Sequence, residues 1–421
     1  AYGAPFAAEA NDLASAEAPV VLRGLVIDSD GNLVGDLPTA DALAPLAQGC
    51  SLSISNVVDG VARSDWVENT ISDATTRQAH TDAIVAAAAA GGCAGIEIAY
   101  EGLSASARDD LTAFVQELAA ALHATGQQLA VRIAPLASDT LDWGQGAYDW
   151  RAIGAAADAV RVPASAEAHT ADAMDALLGQ VTREVDRRKV ELVIDTYARR
   201  KAGGESASLT YREALGLLTQ EISADRAGKP VLPGQAVKVS LPDLATTPID
   251  VDAQSRVYSF AIDEGGAQET VYLETAASVA TKLAAASRYA LGGAVLDGAL
   301  DAANDQNIAA MARSYRPDLV VPEPTFALVW TVEDATSKRL AQQVVPLTDP
   351  NYTWTAPSAP GNYVISAAVS DDGGETNLGG DGKLAMLVPT MTPTPTNTPT
   401  PLPTNTPTPA PTNTPAPTNT P

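Results

Sequence analysis

Two glutamates stand four residues apart in the stretch GIEIAYEGL, Glu97 and Glu101, with Ile96 and Ile98 on either side of the first. A strand has a side-chain period of two, so the glutamates share one face and Ile96 and Ile98 the other. A carboxylate at the end of such a strand can act as general acid or base if a neighbour sets its proton affinity. Asp297, in the run GGAVLDG, ends a second strand-like segment. If Glu97 and Asp297 both face Glu101, the crowded acids raise one another's pKa and attract a cation. No metal-ligand spacing accompanies them. Cys50 and Cys93 form no CxxC cluster, and His80, His123 and His169 are far apart in sequence. Neither a metal nor another cofactor is therefore expected. Asn56 closes the run CSLSISN, where its amide either bonds a ligand or caps the turn. Trp143 and Trp150 flank the loop GQGAYD, as stacking platforms or as packing.

These residues need a scaffold, and the chain is long enough to supply one. Its 421 residues are 46% hydrophobic, which suits two or three units with a large core. Between the first residue and about 316, strand-like runs alternate with helical patterns. The runs are VVLRGLVID, CSLSISNV, AGIEIAY, LAVRIAP, DAVRVPA, VELVIDTY and GGAVLDG. Regular alternation of this kind predicts an α/β fold with a parallel sheet closed as a (β/α)8 TIM barrel. The eighth strand is expected at AYGAPF, at the start of the chain. One helix is predicted from about Thr76 to Gly91, and another from about Ser106 to Gly126 with Leu111, Phe114, Val115, Leu118 and Leu122 on one stripe. An insertion precedes the last strand, with a hairpin around Asp263-Glu264-Gly265-Gly266.

Residues 317–389 read as a small all-β sandwich, with strands in FALVWTVED, YTWTAP, NYVISAAVS and KLAMLVP. From 390 to the end, the unit TNTP recurs at Asn397, Asn405, Asn413 and Asn419. Alternate prolines fix φ and remove donors, so a disordered or polyproline II tail is expected, with O-glycans on its threonines as one reading. The net charge is −25, which argues against nucleic acid or an anionic membrane surface as partner. No stretch is apolar enough to insert into a bilayer.

The first 316 residues resemble the spore-germination and cortex-lytic branch of glycoside hydrolase family 18, the chitinase-like barrels. The resemblance rests on SLSISNV, on AGIEIAYEGL through QQLAVRIAP, on AYDWRAIGAAADAVRVP, and on the stretch from RVYSFAIDEGG to GGAVLDGAL. The family signature DxxDxDxE ends in the glutamate that protonates the glycosidic oxygen while the substrate's own N-acetyl group attacks. Here the signature reads Ala94-Gly95-Ile96-Glu97-Ile98-Ala99-Tyr100-Glu101. The acid is kept as Glu101. Ala99 replaces the aspartate that orients the acetamide, and a methyl group can do nothing of the kind. On the sixth strand, Pro163-Ala164-Ser165-Ala166 stands where family members carry a motif with an acetamide-holding Tyr. A one- or two-residue shift would bring in Glu167. On the eighth strand Asp297 replaces the Trp that floors the sugar site. The resemblance thus implies a barrel that has lost acid partner, clamp and floor together.

The resemblance implies a catalytically inactive, secreted or surface-displayed protein. Its expected role is to bind peptidoglycan- or chitin-like polysaccharide, or to serve as a structural part of the cell surface. One alternative is an active hydrolase of N-acetylglucosamine-containing glycans with Glu101 as acid. Another is a scaffold for other surface proteins without sugar affinity. Residues expected to touch a glycan are Asn56, Glu97, Trp143 and Asp297. The segment PGNYVISAAVSDDGG resembles Ig-like and PKD-type modules. Cys50 and Cys93 begin neighbouring strands, as a disulfide or as two buried thiols.

Overall fold

A computed structural model describes residues 2–5, 18–37, 43, 46, 49–135, 143–164, 170–203, 205–242, 244, 248–264, 266–376, 378–380, 382–390 and 408. Apart from 390 and 408, the repeat tail lies outside the described residues, as do Glu167 and His169.

Eight parallel strands form the first unit: β1 (Tyr2–Pro5), β2 (Val20–Ile27), β3 (Cys50–Ser55), β4 (Gly95–Ala99), β5 (Gln128–Arg132), β6 (Ala159–Ala164), β7 (Val190–Asp195) and a last strand at Gly293–Asp297. Each pairs with its neighbour in order. Tyr2–Pro5 pairs on one side with Gly293–Asp297 and on the other with Val20–Ile27, which closes the barrel. The expected eighth strand at AYGAPF is that closing strand.

The helices between the strands follow from ordinary capping and patterning. α1 (Ser64–Ser72) leads into α2 (Ala74–Gly91). Asp73 caps α2 by accepting the backbone N–H groups of Thr75 and Thr76, and Gly92 ends it in the left-handed region. α3 (Arg108–Ala124) buries Leu111, Phe114, Val115, Leu118 and Leu122, the predicted stripe. Then come α4 (Trp150–Ala156) and α5 (Ala171–Glu184). The outward faces of the strands and the inward faces of these helices make one continuous apolar core. Within it the Tyr100 hydroxyl meets His80 Nε2 at 2.6 Å, and Gly31 carbonyl meets His80 Nδ1 at 2.8 Å. His80 is thus a satisfied core residue.

The insertion after β7 builds a second body. Its strands β8 (Ala198–Ala202), β9 (Glu205–Leu209), β10 (Ala236–Ser240), β11 (Tyr258–Glu264) and β12 (Ala267–Leu273) surround the short helix α6 (Tyr211–Gly216). β11 and β12 are the predicted hairpin. The chain returns through α7 (Ala276–Arg288) to the last barrel strand, β13 (Gly293–Asp297), and then α8 (Gln306–Arg313).

The C-terminal strands are β14 (Ala327–Asp334), β15 (Arg339–Pro346), β16 (Asn351–Thr355), β17 (Gly361–Ser370) and β18 (Lys383–Val388). Four of them form an antiparallel sheet in the order β15-β14-β17-β18. Strand β15 gave no sequence signal, because it is exposed along its length and shows no buried alternation. The fifth, β16, leaves the module and pairs with β10 of the insertion, Val237 opposite Trp354 and Val239 opposite Tyr352. Trp330 of β14 stacks on Tyr352, with ring centroids 5.8 Å apart. One apolar cluster therefore contains Val237 and Phe260 of the insertion together with Trp330, Trp354 and Ile365 of the C-terminal strands. The expected boundary at 316/317 divides the chain but not the cores. A strand lent by the insertion completes the sheet that faces β14 and β17, and a local reading of residues 317–389 has no access to it.

Candidate functional site

Inward-facing residues of a barrel usually fill it with apolar layers. Here one small layer is apolar, Val21, Val193 and Val295. The rest of the interior around it is charged. Glu97 is fully buried, and its carboxylate accepts from Ser53 Oγ at 2.6 Å, from Arg161 at 2.7 Å and from Arg132 at 3.2 Å. Arg161 turns its Nε to Glu191 at 2.9 Å. Burial alone would raise the Glu97 pKa. The guanidinium charges of Arg132 and Arg161, the Ser53 hydroxyl and Arg23 outweigh it and hold Glu97 far below the ordinary carboxylate range. Glu97 does not turn toward Glu101, because two arginines and a serine take its oxygens.

Asp297 is spent in the same way. It forms an ion pair with Arg23, and Arg132 lies 3.6 Å away. Arg23 keeps 35% of its side-chain surface open. Even so, desolvation inside the barrel and the nearby Arg132 lower its pKa to about 10, against the pull of Glu97 and Asp195. Asp195 ends β7 directly opposite Asp297 in register and is held by Arg199 at 2.5 Å. These four arginines were missed at the sequence level. Three of them left a signal, since Arg23, Arg132 and Arg161 each interrupt an apolar strand run at an inward position.

Glu101 lies just past β4 with an exposed side chain that makes no hydrogen bond or ion pair among the described residues. Its backbone is fixed. Its N–H donates to Asn56 Oδ1 at 2.7 Å, and Asn56 Nδ2 donates to its carbonyl at 2.9 Å. Asn56 is fully buried, and its amide positions the Glu101 turn. Gly102 follows at φ +73°, and the Ala62 methyl would stand 3.3 Å from any Cβ placed there. Tyr148 donates its hydroxyl to the carbonyl of Tyr100 and is buried beneath the same turn. Burial, and then the Glu101 charge, push the Tyr148 pKa well up.

Glu101 shares a pocket of about 290 Å³ with Arg23, Arg132, Asp195, Tyr197 and Asp297. Ala99 is buried one residue pair below, and Pro163 and Ala164 form part of the wall. Tyr197 reaches Asp301 through its hydroxyl at 3.3 Å, while Gly298 leaves it room: a Cβ there would meet its ring at 2.4 Å. Burial and the Asp301 charge push the Tyr197 pKa up to about 12. The structure thus brings Glu101 and Asp297 to one pocket, with Glu97 beneath.

Trp143 is not among the lining residues. It is 5% exposed within the barrel's outer core, and Gln180 of α5 clamps its backbone at 3.0 and 2.7 Å. Its ring is buried in that core. Trp150 is likewise fully buried at the start of α4. Cys50 and Cys93 are joined by a disulfide, with Cα atoms 4.8 Å apart. No cluster of three or more metal-ligating side chains exists among the described residues.

Residues 57–296, more than half of the chain, match glycosyl hydrolases family 18. The chain belongs to that family. Among family-18 relatives, YdhD of Bacillus subtilis (strain 168), which carries the name sporulation-specific glycosylase, is 28% identical over 153 residues. That match covers 34% of this chain and spans only 35% of the relative's length. Among solved structures, a chitinase of Chromobacterium violaceum superposes with a TM-score of 0.58 at 23% identity, over 74% of this chain and 97% of that one. The spore cortex-lytic enzyme SleL of Bacillus megaterium gives 0.56 at 16% identity, over 75% and 73%. Identities this low carry the fold alone.

Proposed function

We propose that this family-18 barrel binds a peptidoglycan- or chitin-like polysaccharide without cleaving it. The observation that carries the reading is the state of the carboxylates around Glu101. The position two residues before it is Ala99. A substitute would have to come from Glu97, Asp195 or Asp297, and arginines hold all three. A carboxylate locked to a guanidinium cannot turn to orient an acetamide or meet a developing positive charge without breaking its ion pair. Glu101 keeps its place but has no working partner. What the pocket does offer is a set of donors and an acceptor, Arg23, Arg132, Tyr197 and Glu101, suited to sugar hydroxyls.

The disulfide and the Thr/Pro tail support an extracellular or cell-surface setting. There the Ig-like C-terminal module acts as a spacer and the tail as a stalk, open to O-glycosylation.

The test is a paired assay on the whole chain. Release of chromophore from a chitobioside and of reducing ends from peptidoglycan is measured beside co-sedimentation with insoluble chitin and peptidoglycan. Binding without turnover is expected. Turnover that disappears in Glu101→Gln would replace this reading with the hydrolase. Absence of binding to either polymer would leave the scaffold role.

A further inference from the structure

We propose that a second site, in the seam between the barrel and the C-terminal strands, binds an organic cation: a primary ammonium on an apolar stem. A pocket of about 500 Å³ opens there, away from the barrel mouth, and its size is that of small-ligand sites. One wall is apolar, made by Met311 of α8 and by Leu319 and Val321 of the segment that follows. Asp305, Asp371, Asp372 and Glu323 also line the pocket, and no lysine, arginine or histidine does.

Three of the four acids have other work. Asp305 caps α8 and accepts the Ala276 N–H at 2.9 Å. Asp372 accepts the backbone of Glu375 and Thr376 at 2.9 and 3.0 Å. Glu323 is paired with Arg256. Asp371 differs. It is 8% exposed, it accepts one side-chain hydrogen bond, from the Tyr211 hydroxyl at 3.1 Å, and it has no ion pair among the described residues. The charged and titratable groups that face it are Tyr211 of α6, Asp305 of α8 and Asp372 of its own turn, with no cation among them. Burial and the Asp305 charge push its pKa up to about 6. A buried carboxylate without a counter-charge is costly. An ammonium head removes that cost, while the stem covers the wall of Met311, Leu319 and Val321. A neutral or anionic ligand of the same shape does only the second.

Such a head can come from a free amine or from the lysine side chain of another protein. Isothermal titration of the whole chain at about pH 7.5 separates these. The probes are hexylammonium, its isosteres hexanol and hexanoate, and Nα-acetyl-lysine amide. Saturable binding of hexylammonium is expected, with the two isosteres at least about tenfold weaker. Acetyl-lysine amide binding as well as hexylammonium identifies a lysine; binding of hexylammonium without it identifies a free amine. Asp371→Asn is expected to weaken hexylammonium by about tenfold. The unaltered protein should lose affinity as the pH falls through about 6. The proposal is overturned if hexanol matches hexylammonium, if no saturable binding occurs, or if affinity is level across that pH range. Should Asp371→Asn not fold, the pH series decides alone.

Discussion

Replacing Glu97 by Gln keeps the shape of the side chain and removes the charge at the centre of the barrel's ion network. Glu97 is fully buried and faces Arg161 at 2.7 Å and Arg132 at 3.2 Å. Without it, among the described residues, Arg161, with 6% of its side chain exposed, keeps the ion pair with Glu191, and Arg132 that with Asp297 at 3.6 Å. Breaking one side of a buried pair typically costs about 3–5 kcal/mol, because the orphaned charge stays buried. Glu191 retains part of the compensation, so about 3 kcal/mol is expected here. Urea unfolding at neutral pH reads this as a shift of midpoint at unchanged slope, and comparing variants at equal slope avoids any assumption about the second core. A paired replacement, Glu97→Leu with Arg161→Leu, should recover most of the loss, since an apolar pair of similar volume often matches a buried ion pair. Acid should imitate the single variant. The folded pKa of Glu97 lies below its ordinary value of 4.5, so the network's contribution is present above that value and disappears as the pH falls through the folded pKa. A loss below about 1 kcal/mol in Glu97→Gln would refute the reasoning. It would mean that water reaches these charges and that the barrel centre is not the dry network described above.

Three further outcomes follow from named contacts. Ala99→Asp restores the missing partner alone, with no Trp floor at Asp297, and should release no sugar from a chitobioside; measurable turnover would locate the whole defect at one residue. At neutral pH, Asp371→Asn should raise the unfolding midpoint by a shift equivalent to about 1–2 kcal/mol after allowance for solvent screening. Its folded pKa is raised to about 6, so the native charge is unfavourable above that value, and the gain should vanish below the ordinary value of 3.8. Reducing Cys50–Cys93 opens a cross-link between residues 43 apart. The chain-entropy limit for that loop is about 4 kcal/mol, so a reductant should lower the melting temperature measurably, and an unchanged melting curve would show that the denatured chain is already constrained there.

The barrel was legible because its signals are local. All seven apolar runs became strands, with ends within a few residues of those expected, since each run is flanked by helix caps and turns that fix its limits. Asp73 and Gly92 around α2 show this. The C-terminal sheet was less legible for a physical reason. Trp354 and Tyr352 alternate as half-buried strand residues should, but alternation names a buried face without naming the strand alongside. That strand is Ala236–Ser240, more than a hundred residues away. Strand Arg339–Pro346 gave no alternation because neither of its faces is buried.

The site was legible in its residues and opaque in its pairings. Period-2 counting placed Glu97 on the same face as Glu101, and the pocket brings Glu101 and Asp297 together. It could not show that Glu97 meets Arg132 and Arg161, or that Asp297 meets Arg23 across the closing strand, because strand register and barrel closure decide that. Ser53 stands beside Glu97 only because β3 and β4 align at those residues, and Asp195 beside Asp297 only because β7 and β13 do. The arginines change what the substitutions mean. A glycosidase that had lost only its aspartate would leave a cavity that water or a neighbouring carboxylate could occupy. Here the interior holds Arg23, Arg132 and Arg161, paired with Glu97 and Asp297. On the proposed non-cleaving reading, gaining hydrolysis would mean freeing a carboxylate from these arginines, so stability and hydrolysis would oppose each other at the same few positions.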